Sequence, residues 1–368
     1  MNQSDLIKYD SSIINNKIYV VLLGGTLQSV TEIDTLSDSI SKNIDVGGLP
    51  ETVVYNSENN CLYVGVKKPD GTHNILIVDI KNNYKRIYEY VLDGEPYVSM
   101  FNPIDKRVYI LCYFDYTKKN LIMMDSQKPP TISVIPLTIH GDIPQFSKMI
   151  FNPFNQKLYL INNSLYNITF SPPEVKHIPL GFDIFPNPNM FINSNDNKVY
   201  VCGMSGSDKF LGIIDDSHLS NRIKILQDPN RYHSGWIVSM VFNSTENKTY
   251  VSHWYAIPGP DGRIETVTRI NNSDHSMKQI PVNSPTTQIK LLYNPNNNYL
   301  YSNFFDKIDI IDCTSDIKLD DEKSIKNIYN LYNPILANNK IYAYDADATI
   351  FVIDCNTNTI IKKITFPG

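Results

Sequence analysis

The ten residues FNPFNQKLYL, Phe151 to Leu160, decide the fold, because closely related stretches recur along the whole chain. FNPIDKRVYI, beginning at Phe101, repeats the pattern of Phe-Asn-Pro, a polar triplet, a basic residue, an aliphatic residue and a Tyr. Related stretches begin at Tyr55, Ile192, Phe242 and Tyr293, and shorter versions begin at Ile13 and Leu336. Repetition at a fixed period indicates a fold built from equal structural units.

The Tyr of each stretch marks one unit, and neighbouring Tyr residues are 41 to 51 positions apart. The eight anchors are Tyr19, Tyr63, Tyr109, Tyr159, Tyr200, Tyr250, Tyr301 and Tyr342. We therefore predict a single domain over residues 1–368, with units at about 1–48, 49–95, 96–142, 143–183, 184–233, 234–284, 285–328 and 329–368.

Each unit is typical of four short strands. An apolar strand, such as 147–151 or 237–242, precedes an Asn-Pro or Asn-Ser turn, in which Asn can bond its own backbone. The Tyr strand, a variable loop and a third strand follow. That third strand ends near Asp34, Asp79, Asp125, Asp215, Asp312 or Asp354, with Asn271 in the sixth unit and a departure at "TFSP" in the fourth. These Asp side chains are expected to close the turn into strand four. Such WD40-like units predict an all-β, eight-bladed β-propeller of four-stranded antiparallel blades.

The second strand predicts a sheet that is apolar on both faces. The residue before the Tyr is aliphatic in seven of the eight units, the exception being Thr249. Because strand side chains alternate between faces, Tyr fills one face and its neighbour the other. A blade between two other blades needs two buried faces, and the Tyr hydroxyl can find a partner at the blade junction.

The repeat resembles the YVTN family of β-propeller repeats, as in YncE-like proteins. The resemblance rests on "NKIYVV", "NKVYVC", the strand-three "VID" and the inter-blade "VGGLP" at 46–50. It implies a propeller, and because the typical member has seven blades, seven is the alternative to eight. It implies activity only loosely, because such propellers have binding, surface and occasional lactone-hydrolysing roles.

Composition narrows the class of protein. With 42% hydrophobic residues, 19% charged residues and a net charge of -5, the chain lacks the basic character that nucleic-acid binding requires. Five Cys without a C-x-x-C pattern predict buried free thiols. The start MNQSDLIKYD does not resemble a signal peptide, and no apolar run is long enough to span a membrane. We expect a cytoplasmic monomer, or a virion or host-cell location if the source is a virus.

Two loops of the sixth unit hold both Trp residues of the chain. The first covers 228–236, the second covers 253–265, and both should lie on one rim. The predicted binding residues are Arg231, Tyr232, His233, Trp236, His253, Trp254, Tyr255 and Arg263. Trp, Tyr and Arg often dominate interface energies. The alternative is that Trp236 opens a strand as a core residue and Trp254 covers the blade edge.

The connections between units are acidic. Glu51, Asp93 with Glu95, Asp142, and Asp183 occupy similar positions in consecutive units. Glu51, Glu95, Asp142 and Asp183 are the predicted ligands of a Ca²⁺ ion or a cationic ligand at the channel mouth, since Ca²⁺ prefers oxygen ligands. The alternative is that these side chains are solvated or cap local turns.

The sequence leaves three functions open and predicts no catalytic residues. The first is a binding or scaffold propeller for a protein or small ligand, without catalysis or a required cofactor. The second is a lactonase-type hydrolase, whose general base and cation would come from His233, His253, Arg231 or Glu265. The third is a structural surface or virion component.

Overall fold

The computed structural model describes residues 11–14, 16–21, 28–114, 119–137, 148–161, 164–170, 172–184, 189–225, 236–256, 263–282, 290–303, 307–328, 331–345 and 349–366. Within these ranges the chain forms β-strands and turns, and no helix is found. The chain divides into two compact units, Met1–Ile143 with Ser171–Val175, and Pro144–Phe170 with Lys176–Gly368. The single domain over 1–368 stays a prediction.

The first three blades comprise β1 (Ser11–Ile14), β2 (Lys17–Val20), β3 (Ser29–Asp34), β4 (Ser39–Asp45), β5 (Leu49–Asn56), β6 (Cys61–Lys67), β7 (His73–Asp79), β8 (Lys85–Leu92), β9 (Glu95–Asn102), β10 (Arg107–Tyr113), β11 (Lys119–Met124) and β12 (Ile132–Leu137). Each run of four consecutive strands forms one antiparallel sheet.

The other five blades comprise β13 (Lys148–Asn152), β14 (Lys157–Ile161), β15 (Leu165–Phe170), β16 (Pro173–Ile178), β17 (Met190–Asn193), β18 (Lys198–Ser205), β19 (Asp208–Asp215), β20 (His218–Lys224), β21 (Ile237–Asn243), β22 (Lys248–Ala256), β23 (Arg263–Asn271), β24 (Met277–Val282), β25 (Lys290–Asn294), β26 (Tyr299–Asn303), β27 (Lys307–Asp312), β28 (Ile317–Lys318), β29 (Ile325–Lys326), β30 (Tyr332–Ala337), β31 (Lys340–Tyr344), β32 (Thr349–Asp354) and β33 (Thr359–Thr365).

The described strands make eight sheets, in which strand order follows chain order. In the seventh, the outer strand is split into β28 and β29, which both pair with β27. The fold is an eight-bladed β-propeller, so the prediction from the repeat is confirmed and the seven-bladed alternative is wrong.

The eight anchor Tyr residues are all buried, with no more than 2% of any of them exposed. Apolar clusters lie between consecutive blades within each unit. One joins Tyr19 to Val53 of the next blade, and another joins Tyr159 to Val199. Burial of both sheet faces, as predicted, supplies the main stabilisation, since each fully buried large apolar side chain contributes about 1.5–3 kcal/mol. All five Cys are buried free thiols, as expected.

The Asn of the opening motif connects consecutive blades. Asn152 is 1% exposed, and its Oδ1 accepts a hydrogen bond from the Phe154 amide at 3.0 Å. Its Nδ2 donates to the Asn197 carbonyl of the next blade at 3.0 Å. Asn193, Asn243 and Asn294 also donate through Nδ2 to the next blade, but their acceptors are the side-chain Oδ1 atoms of Asn247, Asn298 and Asn339. The sequence predicted the bond to the local backbone, but not the second bond to the neighbouring blade.

The last residue of each polar triplet explains why Asn is so frequent there. This residue has a left-handed backbone, with φ of 57° at Gln156, 62° at Asn197 and 53° at Asn247. Asn tolerates this conformation better than most residues other than Gly. The motif therefore encodes both a tight turn and a contact to the next blade.

Tyr hydroxyls and the Asp residues that end the third strands form further hydrogen bonds at the turns of the blades. Tyr63 donates to the Asp125 carbonyl of the next blade, and Tyr301 donates to Asn358 of the next blade at 2.9 Å. Asp34 accepts from the Leu36 amide at 2.8 Å, and Asp354 accepts from the Asn356 amide at 2.6 Å. Two predictions are confirmed at these positions: the Tyr hydroxyl finds a partner at the blade junction, and the strand-three Asp closes the turn that follows it. These turns therefore have a structural role.

Candidate functional site

The two Trp residues of the chain lie against each other in the sixth blade. Trp236 immediately precedes β21, Trp254 lies in β22, and the Trp254 amide donates to the Trp236 carbonyl at 3.3 Å. Their rings meet edge to face, with centroids 6.0 Å apart and planes at 64°. Trp236 is 48% exposed, so it is not the core residue of the alternative interpretation. We call these two residues the tryptophan edge.

The structure describes only part of the predicted surroundings of the tryptophan edge. Arg231, Tyr232 and His233 lie outside the described residues. Tyr255 and Arg263 are described through their backbones, at the ends of β22 and β23 that pair with each other. The position of these five side chains at the site stays a prediction.

His253 is separated from the tryptophan edge. It pairs with Thr266 across β22 and β23, whereas Trp254 pairs with Glu265, so His253 and Glu265 lie on opposite faces of the sheet. His253 is fully buried and its Nε2 is 2.7 Å from the Thr268 hydroxyl. Burial lowers the pKa of His253 well below its usual value, and Lys209 lowers it further. His253 is therefore a neutral core residue at pH 7.

Lys209 approaches the same face of the sixth blade from β19. It is fully buried, and burial lowers the pKa of its ammonium group to about 8, although Asp208 acts in the opposite direction. Sequence reasoning missed this residue. Its only signal was a Lys next to the apolar centre of a strand, "DKFLGIID".

The predicted acidic positions are divided between the two compact units, apart from one that lies outside the described residues. Glu51 of β5 lies 2.9 Å from His73 Nδ1 of β7, and Glu95 opens β9 in the same unit. Asp183 belongs to the second unit, where it is exposed and its backbone pairs with Met204. Asp142 lies outside the described residues. Within the described ranges no three His, Cys, Asp or Glu side chains are grouped so that they could hold a metal ion. Calcium at the channel mouth stays a prediction.

Glu51 differs from an ordinary surface carboxylate. Burial raises its pKa to about 6 and Glu95 raises it further, while His73 acts in the opposite direction. A raised pKa in the folded state means that ionised Glu51 destabilises the fold above that pKa, and that this cost disappears below the pKa of the unfolded chain.

We expect Glu51→Gln to stabilise the protein at pH 7 by about 2 kcal/mol, the free-energy equivalent of the raised pKa. The amide imitates the protonated carboxyl, so the advantage should shrink as the pH falls from 7 to about 4.5. Thermal unfolding of both proteins across this range measures it. A variant less stable at pH 7, or an advantage independent of pH, would contradict the assignment.

The class of protein is defined by the fold: an eight-bladed β-propeller whose sixth blade carries the tryptophan edge, in which Trp236 is exposed and Trp254 is half-buried. No family model matches the sequence, and no curated protein sequence matches it. Within the described residues no helix is long and apolar enough to cross a membrane.

Solved structures share the fold at low sequence identity. Sqt1 of Saccharomyces cerevisiae has a TM-score of 0.62 at 8% identity and covers 91% of each chain. The dihydro-heme d1 dehydrogenase NirN has a TM-score of 0.61 at 11% identity, over 95% of this chain and 72% of that one. AztD of Citrobacter koseri has a TM-score of 0.55 at 12% identity, over 93% and 92%. At such identities the likeness establishes the propeller fold alone.

Proposed function

We propose that this chain is a YVTN-type propeller that binds a protein partner through the tryptophan edge, without catalysis. The observation that carries the proposal is the exposure of Trp236 beside Trp254. An indole ring that is half exposed leaves a large apolar area in water, and interfaces draw much of their energy from burying such rings. The five buried free thiols support a reducing compartment, and we propose the cytoplasm.

The geometry of the sixth blade favours binding over hydrolysis. A hydrolase needs a base within reach of the reacting group and a cation close to the developing oxyanion. His253 is fully buried, and it lies on the opposite face of the sheet from Glu265. These two candidates for lactonase chemistry therefore do not converge on one substrate. Trp236, in contrast, is already open to a partner.

Replacing Trp236 with a photo-crosslinking phenylalanine analogue identifies the partner in cells. The same analogue at Phe154 is a matched control, because Phe154 is 54% exposed in the turn between β13 and β14, at the other end of its blade. We expect a crosslinked protein specific to position 236. Equal labelling at both positions would contradict the proposal.

We expect Trp236→Ala to weaken binding of that partner about 30-fold or more, the range of a central interface Trp. Phe154→Ala should leave the affinity unchanged. Intrinsic fluorescence gives a direct titration signal, because both Trp residues of the chain belong to this edge. An unchanged dissociation constant for Trp236→Ala, with unshifted emission on binding, would exclude the tryptophan edge as the interface.

A further inference from the structure

A groove lies between β8 and β12, the outer strands of the second and third blades, in the first compact unit. It contains a cavity of about 140 Å³. One wall is formed by Tyr90, Val91 and Leu92 of β8 with Asp93 directly after them, and the remainder of the lining comes from β11 and β12. An apolar cavity of about 150 Å³ binds a benzene ring, so this one can take a large apolar side chain.

The floor of the groove belongs to the core between the two blades. Ile122 and Met124 of β11 are buried, and they share an apolar cluster with Leu92. Ile132 and Val134 of β12 lie on the same face of the sheet, because they pair directly with those two buried residues. Val134 is 52% exposed, so part of this apolar lining is left in water.

The outer edge of the third blade lacks the usual protection by charge. β12 is an edge strand, which pairs with β11 on one side. Edge strands present unpaired backbone groups, and natural proteins commonly protect them with charged side chains, above all Lys. Each of the other seven blades has a Lys or Arg in its described outer strand, whereas β12, ISVIPL, has no charged residue.

The length of this edge favours a peptide over a second copy of the chain. Pro136 has no amide hydrogen to donate, so pairing is limited to residues 132–135. Four residues of strand span about 13 Å. An edge this short buries far less than the roughly 1,600 Å² of a stable interface between two proteins. It is long enough for one extended peptide segment to add as a strand.

The charge of the groove favours a basic peptide. Asp93 is the single charged residue among those that line the cavity, and it is exposed. It forms no ion pair with a Lys or Arg of the described part of the chain. The chain as a whole also has a net charge of -5. A Lys or Arg of a bound peptide would therefore meet a complementary charge at this end of the groove.

We propose that the groove between β8 and β12 binds an extended peptide segment of a partner protein, which has apolar side chains at alternating positions and a basic residue beside them. The peptide adds to the edge of β12 through main-chain hydrogen bonds, and its alternate side chains point into the groove, where a Phe or Leu fills the cavity. Its Lys or Arg faces Asp93. The tryptophan edge belongs to the second compact unit, and neither proposal requires the other.

Selection from a phage library of random heptapeptides against the intact chain supplies a defined ligand. We expect enriched peptides with alternating apolar residues and a Lys or Arg. Fluorescence anisotropy then measures the affinity of the most enriched such peptide for the wild type, Val91→Lys and Val134→Lys. These variants charge the groove from two different blades, and both positions are exposed, so neither should lower the melting temperature. Ile361→Lys is the matched control, since Ile361 is 45% exposed in the outer strand β33.

We expect Val91→Lys and Val134→Lys each to weaken binding at least tenfold, and Ile361→Lys to bind as the wild type does. Asp93→Asn should weaken binding about threefold, and it should have no effect on the same peptide with Gln in place of its basic residue. Methylation of alternate amide nitrogens of the peptide should abolish binding in one of the two possible sets, because only one set faces β12.

Two results would overturn the proposal: the absence of such enriched peptides, or an affinity that neither Val91→Lys nor Val134→Lys changes. Sedimentation velocity tests the other occupant. A wild-type dimer that becomes monomeric in Val134→Lys would overturn the proposal in favour of a second copy of this chain at the edge of β12. A monomer in both cases supports the peptide as the occupant.

Discussion

Asp316→Ala should lower the free energy of unfolding by about 4 kcal/mol, the range for removing one partner from a buried ionic network. Asp316 is 6% exposed in the turn after β27, and it joins the sixth and seventh blades. Its carboxylate accepts from the Tyr250 hydroxyl at 2.6 Å, from Lys248 at 3.2 Å and from Arg269 Nε at 3.0 Å. Without it, two cations and a buried hydroxyl lose their shared acceptor.

A second substitution distinguishes the effect of losing the charge from the effect of losing a residue that tolerates the left-handed backbone. Asp316 has φ of 53°, a conformation that Asn tolerates and Ala does not. Asp316→Asn should therefore cost less than Asp316→Ala, since it removes the charge but keeps the turn and an acceptor for Tyr250. Urea denaturation measures both variants. Asp274→Ala is the control, because Asp274 is exposed and accepts from the nearby Ser276 amide in its own turn.

Equal stability of Asp316→Ala and the wild type would contradict the view that polar contacts between turns connect the blades. A loss as large in Asp274→Ala would point instead to a general sensitivity of the strand-three turns. The expected order is Asp316→Ala, then Asp316→Asn, then Asp274→Ala, which should be close to the wild type.

The fold was predictable because it depends on local patterns that repeat. Tyr159 and its aliphatic neighbour Leu158 alternate between two buried faces, which is visible in five residues of sequence. Asp34 and its equivalents close turns through contacts two or three residues away. Such short-range physical rules need no knowledge of what lies across the blade junction.

The site was less predictable because it depends on contacts between distant residues. His253 and Trp254 are adjacent in sequence, yet alternation sends His253 into the core and Trp254 to the same face as Glu265. Treating the loop as one cluster ignored this alternation, although the sequence contained it. Lys209 could not be found this way, because it belongs to the fifth blade and only the packing of consecutive blades brings it near His253.

Asn152→Asp should lower the free energy of unfolding by about 3 kcal/mol at pH 7, although the two side chains have the same shape. The Nδ2 group that donates to the Asn197 carbonyl becomes a carboxylate oxygen facing a carbonyl oxygen, in a site that is 1% exposed. Lys157, opposite Asn152 in the strand register, is already paired with Asp216 at 2.7 Å. The new carboxylate therefore has no free cation across the register.

The pH dependence of the stability of Asn152→Asp tests whether the hydrogen bond from Asn152 to the next blade stabilises the protein. Burial beside a carbonyl raises the pKa of the new carboxyl, and a protonated carboxyl can again donate to the Asn197 carbonyl. The stability loss should therefore be large at pH 7 and shrink as the pH falls toward about 4. Asn152→Ala removes the donor without adding a charge, so its loss should not change with pH. If urea denaturation finds parallel pH profiles for the two variants, the bond from Asn152 to the next blade does not stabilise the propeller.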